Sequence, residues 1–302
     1  MPKSFRPIIL LNTLGKLIEK VIGDRLQFYV ISNNFIYQSQ LGRLKFKSTT
    51  NAGIVLIHII HLGWIKNLPT STQFFLLLNH YLLSLIRKVG FNLQVVKFFL
   101  NYLIGRKTHY FWNSFISPSL DVNIGVGQGL APSPILSALY LLPFLYILEN
   151  CLKILKILIF ILSFVDNGLL ITQSKSVHLS NSILFCSYNT VSNLLLKFGF
   201  IVEHSKTKFF HFTRLYSSFN LSLLDLSSIG SPILCPKNSW KYLCFIFDKK
   251  LLFYQHIDFY SNKTISTVKC MKILENSVQD LNPYQKYFLY RSCVLLIALY
   301  RF

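Results

Sequence analysis

Two apolar runs, residues 157–165 and 169–172, are separated only by Asp166-Asn167-Gly168. A polar turn this short leaves no room for a helical crossover, so the two runs predict a β-hairpin. A lone hairpin is marginal in water and needs neighbouring strands and covering helices. The flanks supply them. A helical pattern spans about 134–151 before the hairpin, and a longer one spans about 177–198 after it. This local order constrains the chain to a mixed fold in which helices cover a sheet.

The remaining pattern fits that frame. Leu14, Leu17, Ile18, Val21, Ile22 and Leu26 recur at three- and four-residue spacing and predict an N-terminal helix. Residues 31–50 are polar and basic and end in a Ser/Thr cluster that would cap a helix over 50–62. Gly63 to Thr72 reads as a turn into a strand, and residues 79–89 and 92–104 read as two helices parted by Gly90. Thr108–Trp112 and Leu120–Val126 suggest a hairpin around Ser117-Pro118. Strands are expected near 208–212 and 242–247, and helix from Gln255 onward.

Charge narrows the partners. Across 302 residues, 31 Lys and Arg face 11 Asp and Glu, a formal net charge of +20. Such an excess favours a polyanion, either nucleic acid or an anionic membrane surface. No carboxylate lies between Asp24 and Asp121. The hydrophobic share of 52% excludes a disordered chain. The six cysteines form no CxxC pair, so zinc ligation and a secreted disulfide framework lack support, and the thiols read as small buried apolar groups in an intracellular protein. The N-terminus carries no signal-peptide core of adequate length. No membrane span is expected, because the helix from Pro134 to about Leu148 falls short of the ~20 residues a span needs.

Four short features could carry chemistry. Ser163-Phe164-Val165-Asp166-Asn167-Gly168 would present a carboxylate at a rigid turn, although Asp and Asn are also ordinary turn residues. Gly125-Val126-Gly127-Gln128-Gly129, with Ser133-Pro134 opening a helix, would let a phosphate approach backbone amides, and is equally sound capping chemistry. Lys206, after Phe198-Gly199-Phe200, would neutralise a leaving pyrophosphate or be merely solvated. Trp240-Lys241-Tyr242-Leu243-Cys244-Phe245 reads as a core strand. Phe46, Tyr110, Phe111 and Trp112 would stack near bases or, more simply, pack in the core.

In order, these pieces resemble the reverse transcriptases of non-LTR, LINE- or jockey-like retrotransposons, in particular fungal copies. Phe5-Arg6-Pro7-Ile8 with Leu11-Asn12-Thr13-Leu14-Gly15-Lys16 and Glu19 resembles the family's opening block. Gln40-Leu41-Gly42 with Lys45-Phe46-Lys47-Ser48-Thr49-Thr50 resembles its fingers block. Gly127-Gln128-Gly129 and Ser133-Pro134 match the palm motif, and Phe164-Val165-Asp166-Asn167 sits where the family has F-x-D-D. Lys206 falls at the family's lysine, and Tyr242-Leu243 at its primer grip.

The resemblance implies an α+β right-hand polymerase. Residues 1–69 would be a fingers-like segment, 70–248 the palm with inserted fingers elements, and 249–302 a partial thumb. It implies RNA-templated DNA synthesis, with template–primer and dNTP as partners and Mg²⁺ or Mn²⁺ as cofactor. Lys45, Lys47, Phe75, Gly127, Gln128, Gly129, Ser133 and Pro134 would face nucleotide or template. Of the three metal-binding carboxylates the family uses, Asp166 is retained. The second falls on Asn167, and the first, counted five residues before the aromatic Phe75, falls on Thr70. Hard divalent cations want anionic oxygens, so the resemblance implies impaired or absent catalysis. The alternatives are a non-catalytic basic nucleic-acid-binding remnant and a non-functional pseudogene product. A composition rich in Phe and Tyr fits a copy drifting toward A- and T-rich codons, for which Asp to Asn is a single-base step.

Overall fold

The computed structural model describes residues 11–42, 47–78, 93–109, 111–122, 129–154, 159–165, 167–198, 201–202, 206–214, 236–275 and 281–300. Its centre is a five-stranded antiparallel sheet. The predicted hairpin is β6 (Ile159–Phe164) and β7 (Asn167–Gln173). β7 pairs with β1 (Thr70–Leu78) from Thr70↔Gln173 to Leu76↔Asn167. On its other side β1 pairs with β9 (Lys208–Phe212) and, at its far end, with the short β8 (Ile201–Val202). β1 is therefore central, and its threonines and phenylalanines suit a pleated surface buried on both faces.

Helices cover one of those faces. α4 (Ser133–Ile154) and α5 (Val177–Lys197) pack Tyr140, Phe144, Leu148, Leu184, Tyr188 and Val191 against Ile161, Leu170 and Phe209. The opposite face meets α2 (Thr49–Ile65) and a separate hairpin, β10 (Ser239–Tyr242) and β11 (Phe245–Asp248). There Leu56, Ile60, Trp240, Tyr242 and Phe247 close over Leu169, Ile171, Phe210 and Phe212. α2 starts at Ser48, whose hydroxyl accepts from the Asn51 amide in a capping box, as the Ser/Thr cluster predicts.

α4 is longer than the sequence reading allows. It runs 22 residues through Pro143 and is apolar and long enough to cross a membrane by length and composition. The glycines and prolines upstream end at its first turn, so the span estimate that began at Pro134 and stopped at Leu148 cut it short. In this fold 56% of its apolar window is buried against the sheet and α5.

Other expectations change in detail. α1 (Thr13–Ser32) forms, but Leu14, Leu17, Ile18 and Val21 are exposed, and the buried face is Glu19, Gly23, Leu26 and Val30. Tyr102 on α3 (Leu93–Leu103) donates to the Glu19 carboxylate, so a hydrogen-bonded acid takes the inward position. The second hairpin is nested: β2 (Arg106–Thr108) pairs β5 (Leu120–Val122), and β3 (Phe111–Trp112) pairs β4 (Phe115–Ile116). Its turn falls at Asn113, in the left-handed region at φ 52°, not at Ser117-Pro118. Phe111 is 73% exposed rather than core. The described cysteines are half-buried or exposed, because helical faces and turn positions place Cys151, Cys186, Cys244, Cys270 and Cys293 off the core. The expected helix at 79–89 lies outside the described residues.

After β11 come α6 (Tyr254–Glu275), α7 (Pro283–Leu289), a π-helical turn (Tyr290–Leu295) and α8 (Leu296–Ala298). α6 is fastened to the β10–β11 hairpin. The Ile246 amide donates to His256 Nδ1 at 3.2 Å, and the Tyr260 hydroxyl to the Cys244 carbonyl at 3.1 Å.

Candidate active site at the β6–β7 turn

β6 and β7 close on the Phe164↔Asn167 pair, with Val165 following β6. Val165 sits at φ 57°, a conformation that a β-branched residue adopts only when its surroundings enforce it. Asp166 lies outside the described residues. Asn167 opens β7 opposite Leu76, and Gly168 lies opposite Phe75.

That register moves one assignment. Thr70 pairs with Gln173, six ladder positions from the Leu76↔Asn167 pair, which at ~3.3 Å per residue is about 20 Å. Thr70 is fully buried, and its hydroxyl lies against Gly63 of α2, where a Cβ would come within 2.5 Å of it. Thr70 therefore cannot contribute a ligand at the turn. The residue of β1 that the ladder sets opposite Asn167 is Leu76.

The Gln40-Leu41-Gly42 block lies directly on this hairpin. Gln40 bridges Ser163 in parallel. The Leu41 amide donates to the Ser163 carbonyl at 2.7 Å, and the Ser163 amide to the Ser39 carbonyl at 3.0 Å. A Cβ on Gly42 would overlap the Val165 amide nitrogen and come within 2.7 Å of its Cγ2. Glycine is therefore required by close backbone approach to the strained turn. Lys47 is engaged here too: its ammonium donates to the Gln38 and Gln40 carbonyls at 3.3 and 3.0 Å, and burial pulls its pKa down. It thus braces the segment that rests on the hairpin. Lys45 lies outside the described residues.

Gly127 and Gln128 also lie outside them. Gly129 is exposed at φ 96°, and Ser133 and Pro134, both half-buried, open α4. The adjacent Ala131-Pro132 backbone rests on Gly23 of α1. Lys206 is exposed just before β9. The side chain of Phe75 is outside the described residues.

The segment expected as one strand at 242–247 is a tight hairpin. Tyr242 pairs with Phe245, so inward residues Trp240, Tyr242, Phe245 and Phe247 break the two-residue period at the turn. Leu243 and Cys244 occupy that turn at φ 47° and 74°. Both positions suit Asn or Gly far better than Leu or Cys. Tyr242 is buried, stacks on Trp240 and meets Phe74 edge-on, and burial raises its pKa.

Two further features were passed over in the sequence. On the α5 side of the sheet, Ser71 Oγ lies 2.6 Å from His211 Nδ1, with both residues buried. The signal was a histidine interrupting the apolar run of β9. At the β6 edge a cleft of about 480 Å³ is lined by Tyr37, Tyr146 and Glu149. Tyr37 donates to Glu149 at 2.6 Å, and Lys153 at 2.7 Å from the same carboxylate holds its pKa below the usual range.

Among the described residues, the turn region offers few groups that could hold a divalent cation. Leu76 stands opposite Asn167, and Asn167 offers a neutral amide. Among the described residues no three His, Cys, Asp or Glu side chains gather anywhere. Two-metal phosphoryl transfer depends on anionic oxygens bridging both ions.

The chain is similar to two solved telomerase structures from Candida tropicalis. One is an apo form truncated from the C-terminal domain (TM-score 0.45, 13% identity, 80% of this chain and 44% of that one). The other is in complex with the TWJ fragment of telomeric RNA (TM-score 0.47, 14% identity, 85% and 42%). The chain thus spans less than half the length of the telomerase chains it matches. No curated protein matches it. Residues 1–247 match the reverse transcriptase (RNA-dependent DNA polymerase) family, so the antiparallel sheet with its packed helices is a right-hand polymerase palm and the chain belongs to that family.

Proposed function

We propose that this chain is the fingers, palm and partial thumb of a non-LTR retrotransposon-type reverse transcriptase that retains a nucleic-acid channel but has lost its metal-dependent catalysis. The segments would be 1–69, 70–248 and 249–302, acting inside the cell on RNA template, DNA primer and dNTP in active relatives. The observation that carries the reading is the pair Leu76↔Asn167: a β1 position facing the catalytic-type turn is neutral, and so is its partner. A shift in register does not restore a carboxylate, since none exists between Asp24 and Asp121. Asp166 alone would leave the transferring phosphoryl charge poorly compensated, and the loss of one such electrostatic group commonly costs about 10²–10³ in rate.

The turn residues support decay as the cause. Val165, Leu243 and Cys244 all hold left-handed backbone without the residue types that tolerate it. The net charge of +20 favours phosphate binding even without catalysis, which keeps a non-catalytic nucleic-acid-binding remnant as the second reading. Primer extension on an RNA template with Mg²⁺ or Mn²⁺ tests both. The unmodified chain should be silent and the L76D/N167D variant active. Activity in the unmodified chain would refute the catalytic loss. Silence in both, with salt-dependent binding retained, would favour the remnant.

A further inference from the structure

The end of the sheet remote from the turn gathers cations around one indole. α2 ends at Trp64 and Lys66 beside the start of β1, where Gly63 meets Thr70. β9 ends at Phe212, opposite Thr70, and Arg214 follows two residues later with its guanidinium 4.5 Å from the Trp64 ring centroid. The Thr213 amide donates to the Lys249 carbonyl at 3.1 Å, which brings Lys249 and Lys250 to the same end. Lys249 is near enough to help depress the pKa of His211. The local carboxylate, Asp248, is spent on the backbone: it accepts from the amides of Lys250, Leu252 and Phe253 at 2.9, 3.0 and 2.6 Å.

A guanidinium held over an indole by cation–π attraction is a preorganised partner for a phosphate oxygen pair. Arg214 and Lys66 are exposed, Lys249 and Lys250 are half-exposed. We propose that Arg214, Lys249, Lys250 and Lys66 around Trp64 form a second nucleic-acid contact that grips the phosphate backbone of a single strand. It rests on the reading of the chain as a nucleic-acid polymerase, but not on the turn. The patch is about 20 Å from Leu76 along β1, so it holds a strand well away from the turn.

The test uses the full chain and a fluorescein-labelled single-stranded oligonucleotide, titrated by anisotropy between about 50 and 200 mM salt. R214A/K249A should make the slope of log K against log salt shallower by about 1.4, since each released single-strand phosphate contact contributes about 0.7. R214K/K249R keeps the charges and should restore the slope, which separates lost contacts from lost folding. An unchanged slope in R214A/K249A overturns the proposal, and so does an absence of salt-dependent binding by the unmodified chain. A variant that loses binding to phosphatidylserine vesicles but not to the oligonucleotide overturns it in favour of a membrane surface. Primer extension by L76D/N167D reports on the turn alone, so either inference can fail without the other.

Discussion

Leu76 lies directly opposite Asn167 across the β1–β7 ladder, six positions from the Thr70↔Gln173 pair. The ladder decides which substitution can rebuild the turn chemically. T70D/N167D should remain silent in primer extension where L76D/N167D is active. T70D should also unfold readily, because it places an unpaired carboxylate in a fully buried site. An uncompensated buried charge costs about 3–5 kcal/mol, measurable as a drop in urea midpoint. A stable T70D protein with extension activity would return the assignment to Thr70.

Cys244 supplies a second prediction. At φ 74° in a two-residue turn it holds a conformation that costs an L-residue about 1–2 kcal/mol. C244G should stabilise the chain by about 0.5–1 kcal/mol once the extra entropy of glycine in the unfolded chain is subtracted. Urea denaturation reads this directly. A destabilised C244G would mean that the half-buried Cys244 side chain contributes packing that outweighs the strain.

The legibility of this fold divides along physical lines. The hairpin around Asp166, the helix after Ser176 and the strand at 208–212 were readable because each is a local pattern of period and cap. Three features were not. The pairing of Leu76 with Asn167 joins residues 91 positions apart and depends on a ladder register that counting within one motif does not reveal. The inward Glu19 of α1 inverted the apparent apolar stripe, because the partner that makes its burial tolerable, Tyr102, comes from a distant helix. The β10–β11 turn was hidden by Leu243 and Cys244, which carry none of the residue signals that a turn with two positive φ angles normally shows.

Gly42 should tolerate no side chain. Its Cβ would strike the Val165 backbone, which cannot retreat because Leu41 and Ser39 are bonded to Ser163 on the same strand. G42A should destabilise by about 1–3 kcal/mol, the usual cost of overpacking. Gly105 provides the contrast: a Cβ there meets nothing within 4 Å, although its φ of 65° carries a left-handed penalty. G105A should therefore cost only about 1 kcal/mol. Equal losses in the two variants would show that the turn moves freely away from Gly42.

His211 sets the acid limit of the fold. Its ring is buried against Ser71, and desolvation, helped by Lys249, lowers its pKa from 6.5 to about 4. The folded state therefore binds fewer protons than the unfolded state between pH 6.5 and 4, so stability falls as the pH is lowered through that window. A difference of about 2.5 units at 1.36 kcal/mol each gives a loss of about 3 kcal/mol by pH 4. His256, also depressed by burial, adds a contribution of the same sign. In H211Q the pH dependence of the urea midpoint between 4 and 6.5 should flatten, leaving the His256 share. A profile unchanged by H211Q would mean that the imidazole is charged in the folded protein, with Ser71 accepting its proton and water reaching its Nε2, which meets no partner among the described residues.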